Sequence, residues 1–468
     1  MAKIYLDDIS LEEAKNRFNG ALEEAGLGSI LGVEVLPLNE TLVGRVLADT
    51  IWAKISSPHY HASAMDGFAV RSEDTHGATE TAPVTLAYES KTIYLDTGDP
   101  LPEWADAVIM IENVESLGED GGAAEDPRKP ALIRIRASIS PWTHVREMGE
   151  DMVATQLVLP YGHQLRPVDL GAAAGCGYDE LNVARKPRVA VIPTGTELVY
   201  PGDPLNEGDI IEYNSIVLAA QIDDWGGEST RFRNVPDDIE KIKKQVIKAA
   251  ADHDLILLIA GSSAGSEDFS ARIVEQTGQL LVHGIAVKPG HPVILGMIED
   301  QDVITPIIGI PGYPVSAALT TDIFVEPLLG RWLGRLPSHP QVIEAEITRK
   351  VNSSAGDDEY LRVAVGYIGD RGVAAPLSRG SGVITSLVRA DGLVIIPRGI
   401  QGLEAGEKVN VQLLRSQEEL RNTIFVIGSH DITLDLLSQF LSPRQRRLAS
   451  VNTGSLAGIM AIKKGETH

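Results

Sequence analysis

Cysteine is almost missing: Cys176 is the only one in 468 residues. That excludes a disulfide framework and suits a reducing cytosol. Its setting, the small-residue run AAAGCG, reads as a buried structural thiol, the usual fate of a free cysteine. Basic residues are also scarce, with 41 Lys and Arg against 65 Asp and Glu, a formal net charge of −24. Such a field argues against nucleic acid and anionic membranes as partners. An anionic ligand would need Lys, Arg, backbone N–H groups or a metal ion close by. No apolar run approaches the roughly 20 residues of a membrane span. The opening MAKIYLDDIS is acidic and has no apolar core, so no secretory signal is expected and the chain reads as cytoplasmic.

What is present is ordinary globular protein, 43% hydrophobic and 23% charged, in a chain long enough for roughly three or four domains. Ser10-Leu-Glu-Glu13 is a capping-box pattern opening an amphipathic helix to about Ala25, and a short helix should follow Asn39. From Ile51 to Arg146, short apolar segments broken by Pro, Gly and charge predict a β-rich domain, with Gly118–Pro130 as a hairpin tip or mobile loop. Residues 149–177 return to a strand and a helix, so the first domain reads as discontinuous, 1–50 with 147–185, and 51–146 as its insertion. Strands and helices alternate over 186–335, which predicts an open, mostly parallel sheet covered on both faces. Within it a helix after Asn214 ends at Gly226-Gly227, Asp237 caps the next helix, and Val315–Leu333 forms a closing helix. Residues 336–418 read as a small β-barrel or sandwich. The fold class is thus α/β plus β, multidomain. The last segment, 419–468, reads strand, helix, strand, helix: the start of another α/β domain that stops before a sheet closes.

The most informative stretch is Asp254–Ser270, DLILLIAGSSAGSEDFS. A fully apolar run fits a strand buried on both faces. The Gly/Ser loop after it lets backbone N–H groups approach an anion, and Glu267 and Asp268 offer carboxylates to a metal ion or water. VAVIPTGTEL (189–198) and IIGIPGYPVSA (307–317) follow the same logic. Three such strand ends imply one crevice at a sheet edge. Further acidic residues sit at turns beside small residues: Asp66 in SAMDGFAV, Thr97 and Asp99 in TGDPLP, Asp151 in GED, Glu197 in TGTEL, and Asp237-Asp238. Taken singly, each is explained by an ordinary turn, a cap or a solvated charge. Lys288-Pro-Gly-His-Pro292 adds a cation and a titrating ring on a rigid loop; a solvent-exposed histidine explains His291 equally well.

SAMDGFAV, TGDPLPEWADAVI, VREMGED, TGTEL, GSSAGSEDF, KPGHP and IPGYPVSA, in this order and spacing, resemble the molybdopterin molybdenumtransferases, the family that includes the E domain of gephyrin. The likeness runs from about residue 5 to residue 415. It implies an elongated homodimer of four-domain subunits, with a molybdopterin-binding α/β domain, a C-terminal barrel, and a cleft completed by the partner's β-rich domain. The implied reaction inserts molybdate, or tungstate, into adenylylated molybdopterin with release of AMP, assisted by Mg²⁺. Further implied partners are the molybdopterin adenylyltransferase and molybdoenzyme apoproteins.

Carried over by motif, Asp66, Thr97, Asp151, Glu197, Asp237 and Asp268 match the family's catalytic positions. Asp237, Asp268 and Glu197 are the implied metal ligands, and Asp66 and Thr97 would come from the partner subunit. Gly261, Ser262, Ser263, Gly265 and Ser266 would cradle the pterin phosphate. Lys288, Gly290, His291, Pro292, Gly312, Ser316 and Arg362 would hold substrate, with Pro292, Ser316, Arg362 and Ser386 on molybdate. Departures from the pattern are His291 in place of a second Lys, Tyr313 in place of Asn, Glu212-Tyr213 before Asn214, and Trp104 in place of Gly. The tail resembles the opening of a periplasmic-binding-like domain sometimes fused behind such enzymes; a structural or disordered tail is the simpler reading. Two other readings remain: adenylyl transfer to molybdopterin, to which the β-rich insertion and barrel run counter, and a non-catalytic oxyanion sensor or scaffold.

Overall fold

The structure is a computed structural model that describes residues 9–260, 266–301, 303–335 and 340–468, without the side chains of 266–268. The chain divides into two compact units, 33–184 and 1–32 with 185–468.

In the unit 33–184, two antiparallel three-stranded sheets face each other. Gly67–Val70 lies between Thr92–Leu95 and Ala107–Met110, and Leu132–Ile135 between Val84–Ala87 and Val114–Leu117. Phe68, Val70, Ile109, Ile133 and Ile135 fill the space between them, the alternation expected of sheets with one buried face. The polar 118–130 segment is the connection of the second hairpin. A separate core holds Leu47, Ile51, Leu165, Leu181 and Cys176 around the helix Pro167–Gly175. Cys176 is fully buried there, and burial pushes its thiol pKa up.

The larger unit is built on helix α1 (Leu11–Glu24), capped by Ser10, whose hydroxyl accepts from the Glu13 N–H at 3.2 Å. The α/β domain then runs β1 (Arg188–Pro193), α2 (Asn214–Asp224), β2 (Glu228–Arg231), α3 (Ile239–Ala250), β3 (Leu255–Ile259), α4 (Ser266–Thr277), β4 (Gly278–His283), β5 (Ile294–Asp300), β6 (Val303–Ile310) and α5 (Pro314–Trp332). The sheet order is β2-β1-β3-β6-β5-β4, with β2, β1, β3 and β6 parallel and β5 antiparallel to both its neighbours. Helices cover both faces: α2, α5 and α1 on one, α3 and α4 on the other. β3 is buried at every residue, as its unbroken apolar run requires.

Two expectations need correction. The first helix was grouped by sequence with 147–185. Its Ala14, Phe18 and Leu22 instead join Val189, Leu255 and Trp332 in the α/β core, and the Trp332 indole donates to the Leu27 carbonyl at 2.7 Å. Amphipathicity says that a face must be buried, not against what. Asp237 was expected to cap α3, but the cap is Asp238, whose carboxylate accepts from the Lys241 N–H at 3.1 Å. The neighbouring aspartate is thereby left for another role.

Strands β7 (Val342–Ile347), β8 (Asp358–Ile368), β9 (Arg371–Pro376), β10 (Gly392–Ile396) and β11 (Lys408–Leu413) close into a five-stranded barrel in the order β8-β9-β7-β11-β10-β8. The barrel is joined to the α/β domain by main-chain pairing: Val287–Lys288 runs parallel to β8 at Asp358–Glu359.

Strands β12 (Thr423–Gly428) and β13 (Arg447–Asn452), with helices α6 (Ile432–Leu441) and α7 (Ser455–Lys464), form the tail in the expected order. It is neither disordered nor detached. Phe425, Ile427, Ala449 and Val451 pack on Ala364, Val373 and Ala375 of the barrel. Gly366 makes the fit possible, since a Cβ there would sit 2.4 Å from the Phe425 ring. Among the described residues, no helix is long and apolar enough to cross a membrane.

Candidate functional site

β1, β3 and β6 end side by side. Thr194 donates from its N–H to the Ile259 carbonyl (2.9 Å), and Ala260 to that of Ile310 (3.0 Å). The three strand ends therefore share one sheet edge. Gly261, Ser262, Ser263 and Gly265 lie outside the described residues. Ser266 and Asp268 fall in the first turn of α4, with their side chains also outside the description.

At the β6 end opens a cavity of about 450 Å³, walled by the Lys288–Pro292 loop, the Pro311–Ser316 turn, Glu359–Arg362 of β8, Arg379 and Ser381. Seven of the expected substrate residues, Lys288, Gly290, His291, Pro292, Gly312, Ser316 and Arg362, meet there. Each is placed by its element. Strand pairing to β8 fixes Lys288. Gly290, at φ +126°, takes a backbone conformation that a side chain would strain. The Asn214 amide donates to the Gly312 carbonyl at 2.7 Å and holds the turn. Ser316, 4% exposed, lies in the first turn of the nineteen-residue α5, where the helix dipole favours an anion, although Pro314 has no N–H and those of Val315 and Ala317 go to the Ser381 and Tyr313 carbonyls.

The electrostatics are those of an anion site. Arg362 is 2% exposed; its Nη2 donates to the Ser378 carbonyl at 2.8 Å, while Nε is buried with no hydrogen-bond partner among the described residues. Burial lowers its pKa, yet a guanidinium stays charged at any physiological pH. A buried cation with a spare donor costs stability unless an anion arrives. Lys288 pairs with Asp357 at 2.7 Å. Burial raises the Asp357 pKa, but hydrogen bonds from Lys288 and Ser354 and the nearby His291 bring it below the usual carboxylate value. Glu359 is held by Arg379 and accepts from the Ser353 hydroxyl at 2.7 Å. Asp357, Glu359, Arg379 and Asn214 were missed in the sequence, because nothing local marks a charge as paired across a domain junction.

The expected carboxylates fall elsewhere. At the β1 end, Gly195 donates to the Val235 carbonyl (3.0 Å). Thr196 exchanges long contacts with Asp237, 3.4 Å from its N–H and 3.3 Å to its hydroxyl. Glu197 adjoins this pair in sequence. Asp237 Oδ1 is buried with no hydrogen-bond partner among the described residues, an orphan oxygen that fits a cation ligand. No group of three or more His, Cys, Asp or Glu able to hold a metal ion occurs among the described residues. The β1 and β6 ends are two strand widths, about 10 Å, apart, with Asp237 at the first and Arg362 beside the second.

In the other unit, Asp66 Oδ1 accepts from both the N–H and the hydroxyl of Thr97, each at 2.7 Å. Those bonds lower the Asp66 pKa, so the carboxylate stays ionised and Thr97 is held against it on an exposed turn. Asp151 is exposed, and only its N–H is engaged, by the Ser57 carbonyl at 3.0 Å. Ser386 does not join the cavity of Arg362; its hydroxyl turns back to the Val383 carbonyl at 2.7 Å.

Comparison with known proteins agrees with this architecture. Sequence profiles match over residues 9–177 (MoeA N-terminal region, domain I and II), 190–331 (probable molybdopterin binding domain) and 344–414 (MoeA C-terminal region, domain IV). Molybdopterin molybdenumtransferase 2 of Mycobacterium tuberculosis is 32% identical over 395 residues, covering 79% of this chain and 92% of its own. A putative molybdopterin biosynthesis protein of Methanocaldococcus jannaschii is 30% identical, covering 80% and 90%. A crystal structure of a MoeA protein from Pyrococcus horikosii superposes with a TM-score of 0.71 at 32% identity, over 88% of this chain and all of the other. The chain belongs to the MoeA family, the molybdopterin molybdenumtransferases.

Proposed function

We propose that this chain is a molybdopterin molybdotransferase of molybdenum cofactor biosynthesis, inserting molybdate into adenylylated molybdopterin and releasing AMP. The observation that carries this reading is the buried Arg362, with its unpartnered Nε, in a cavity at the carboxyl edge of a molybdopterin-binding sheet. Arg362, Lys288 and the Ser316 turn present donors from three directions, matching a tetrahedral dianion. The Gly261–Ser266 loop holds the pterin phosphate. Molybdate gripped there meets the dithiolene sulfurs, whose two thiol protons carry one of its oxygens away as water, while a second water cleaves the phosphoanhydride to AMP, which lies toward β1.

Asp237, with Asp268 and Glu197, would hold Mg²⁺, which when bound neutralises charge on the phosphoanhydride. Asp237 supplies the orphan oxygen for that role, and the chain's own contribution is to fix it beside Thr196. Asp66 and Thr97 reach the nucleotide from the second subunit of a homodimer, and Asp151 assists there. The protein works in the cytoplasm.

The test is direct. Purified chain is given adenylylated molybdopterin, Mg²⁺ and molybdate, and AMP release is followed. Molybdate-dependent AMP release is expected. Formation of adenylate from ATP and molybdopterin would instead make it an adenylyltransferase, and neither reaction would leave an oxyanion sensor or scaffold.

A further inference from the structure

The cavity of Arg362 is not the only concentration of positive charge in this acidic chain. Two adjoining cavities, about 220 and 280 Å³, lie between the barrel and the tail, sharing Leu377, Arg389, Ser450 and Asn452 in their walls. Arg415 and Arg447 line the smaller and Arg349 the larger, so four arginines line the two cavities against a single carboxylate, Asp435, which pairs with His430 at 3.6 Å. Only part of this charge is used within the fold. The fully buried Asp391 takes Arg415 Nε at 3.1 Å and Arg447 Nη2 at 2.6 Å. Arg349 is tethered by a neutral carbonyl, that of Pro376 at 2.9 Å. Arg447 Nη1 is buried with no hydrogen-bond partner among the described residues, as is the hydroxyl oxygen of Thr453 in the larger cavity's wall.

Like-charged arginines converge at a cost unless something anionic joins them. The donors available are guanidinium, hydroxyl and amide groups from several sides, and the space is small. From this we infer that the cleft is a second oxyanion site, taking a tetrahedral anion of the phosphate or molybdate type. The anion sits between Arg349, Arg389 and Arg447. The site is distinct from the cavity of Arg362 but adjoins it through one segment: Ser378, whose carbonyl anchors Arg362, lines the second cleft, and Ser381 lines the first. The site exists only because the tail is docked, since Arg447, Ser450, Asn452 and Thr453 belong to it.

The experiment is calorimetric titration of the full chain with inorganic phosphate, repeated with molybdate and with AMP to separate a free oxyanion from a phosphorylated metabolite. In the Arg362→Gln background, phosphate or molybdate should still bind at one equivalent per chain. Adding Arg349→Gln and Arg389→Gln should weaken that binding at least about tenfold, the effect of removing charge-assisted bonds. In wild-type protein, needing no substitution to fold, the bound anion should protect Arg389 from phenylglyoxal, read by peptide mass spectrometry. AMP binding that replaces the inorganic anions and is lost with Arg349→Gln and Arg389→Gln would assign the site to phosphorylated metabolites. The inference is overturned if no anion binds the Arg362→Gln protein, if the added substitutions leave affinity unchanged, or if Arg389 modifies equally with and without anion.

Discussion

Two side chains concentrate the proposed site's physics, and a third, Asp322, titrates between helices outside it. Arg362 is held by two neutral carbonyls, those of Ser378 and, at longer range, Gly380, and its Nε has no partner among the described residues. Arg362→Gln should cost roughly 1.5–3 kcal/mol of oxyanion binding, a ten- to hundredfold rise in KM for molybdate, measured by AMP release against molybdate concentration. Asp237→Asn keeps the shape but halves the appeal of its orphan oxygen to a cation. The Mg²⁺ concentration for half-maximal activity should rise about tenfold or more, while thermal stability is unchanged because no hydrogen bond depends on Oδ1. On α5, burial, reinforced by the neighbouring Glu326, pushes the Asp322 pKa up to about 7, against a 2.7 Å hydrogen bond from Gln221. The folded chain therefore binds a proton that the unfolded chain releases, between about pH 4 and 7. Stability from this group is present at acid pH and lost as pH rises through that window. Asp322→Asn should remove this slope and raise stability by about 1–3 kcal/mol at pH 8, with no gain near pH 4, as urea unfolding at both values would show.

At the scale of elements, the Lys288–Pro292 loop is rigid because of its backbone more than its side chains. At Gly290, φ is +126° and an added Cβ would lie 3.3 Å from the Thr320 hydroxyl. Gly290→Ala should cost about 1 kcal/mol and displace Lys288 and His291, raising KM for molybdate more than it lowers the melting temperature. Loops of this kind were legible, because Gly and Pro at a strand end say what the backbone must do. So were the helices, whose apolar spacing is local information. Asp237 and Asp238 show where that reading stops: either can cap α3, and only the packed loop decides. Barrel closure was harder still. β8 pairs with β9, β10 and the Val287–Lys288 strand, and partners so distant in sequence leave no periodic trace. For the same reason nothing in the sequence singles out Asp357 and Glu359, although the fold buries both beside cations.

At the scale of the whole molecule, the tail is fastened by packing. The Phe425 ring rests on Gly366, and Arg447 reaches the buried Asp391. Phe425→Ala should weaken docking by about 3 kcal/mol, so that limited proteolysis removes residues beyond 418 while the barrel stays intact. The sequence showed the tail's element order but not its seat, since the apolar patch receiving it is spread over β8 and β9. The Asp66–Thr97 pair poses the complementary question. It is poised in a unit of its own, and mixing Asp66→Ala chains with Asp268→Ala chains should restore up to about a quarter of the activity if each centre draws on two subunits.

The main-chain ladder between Lys288 and Glu359 has a bearing on synthesis. One half of the proposed oxyanion cavity emerges with the α/β domain; the other exists only after the barrel has closed and been zipped to it. On the proposed assignment, a nascent polypeptide has Lys288 and Ser316 in place before Arg362 can join them, and competence for metal capture would report that the barrel has folded and docked.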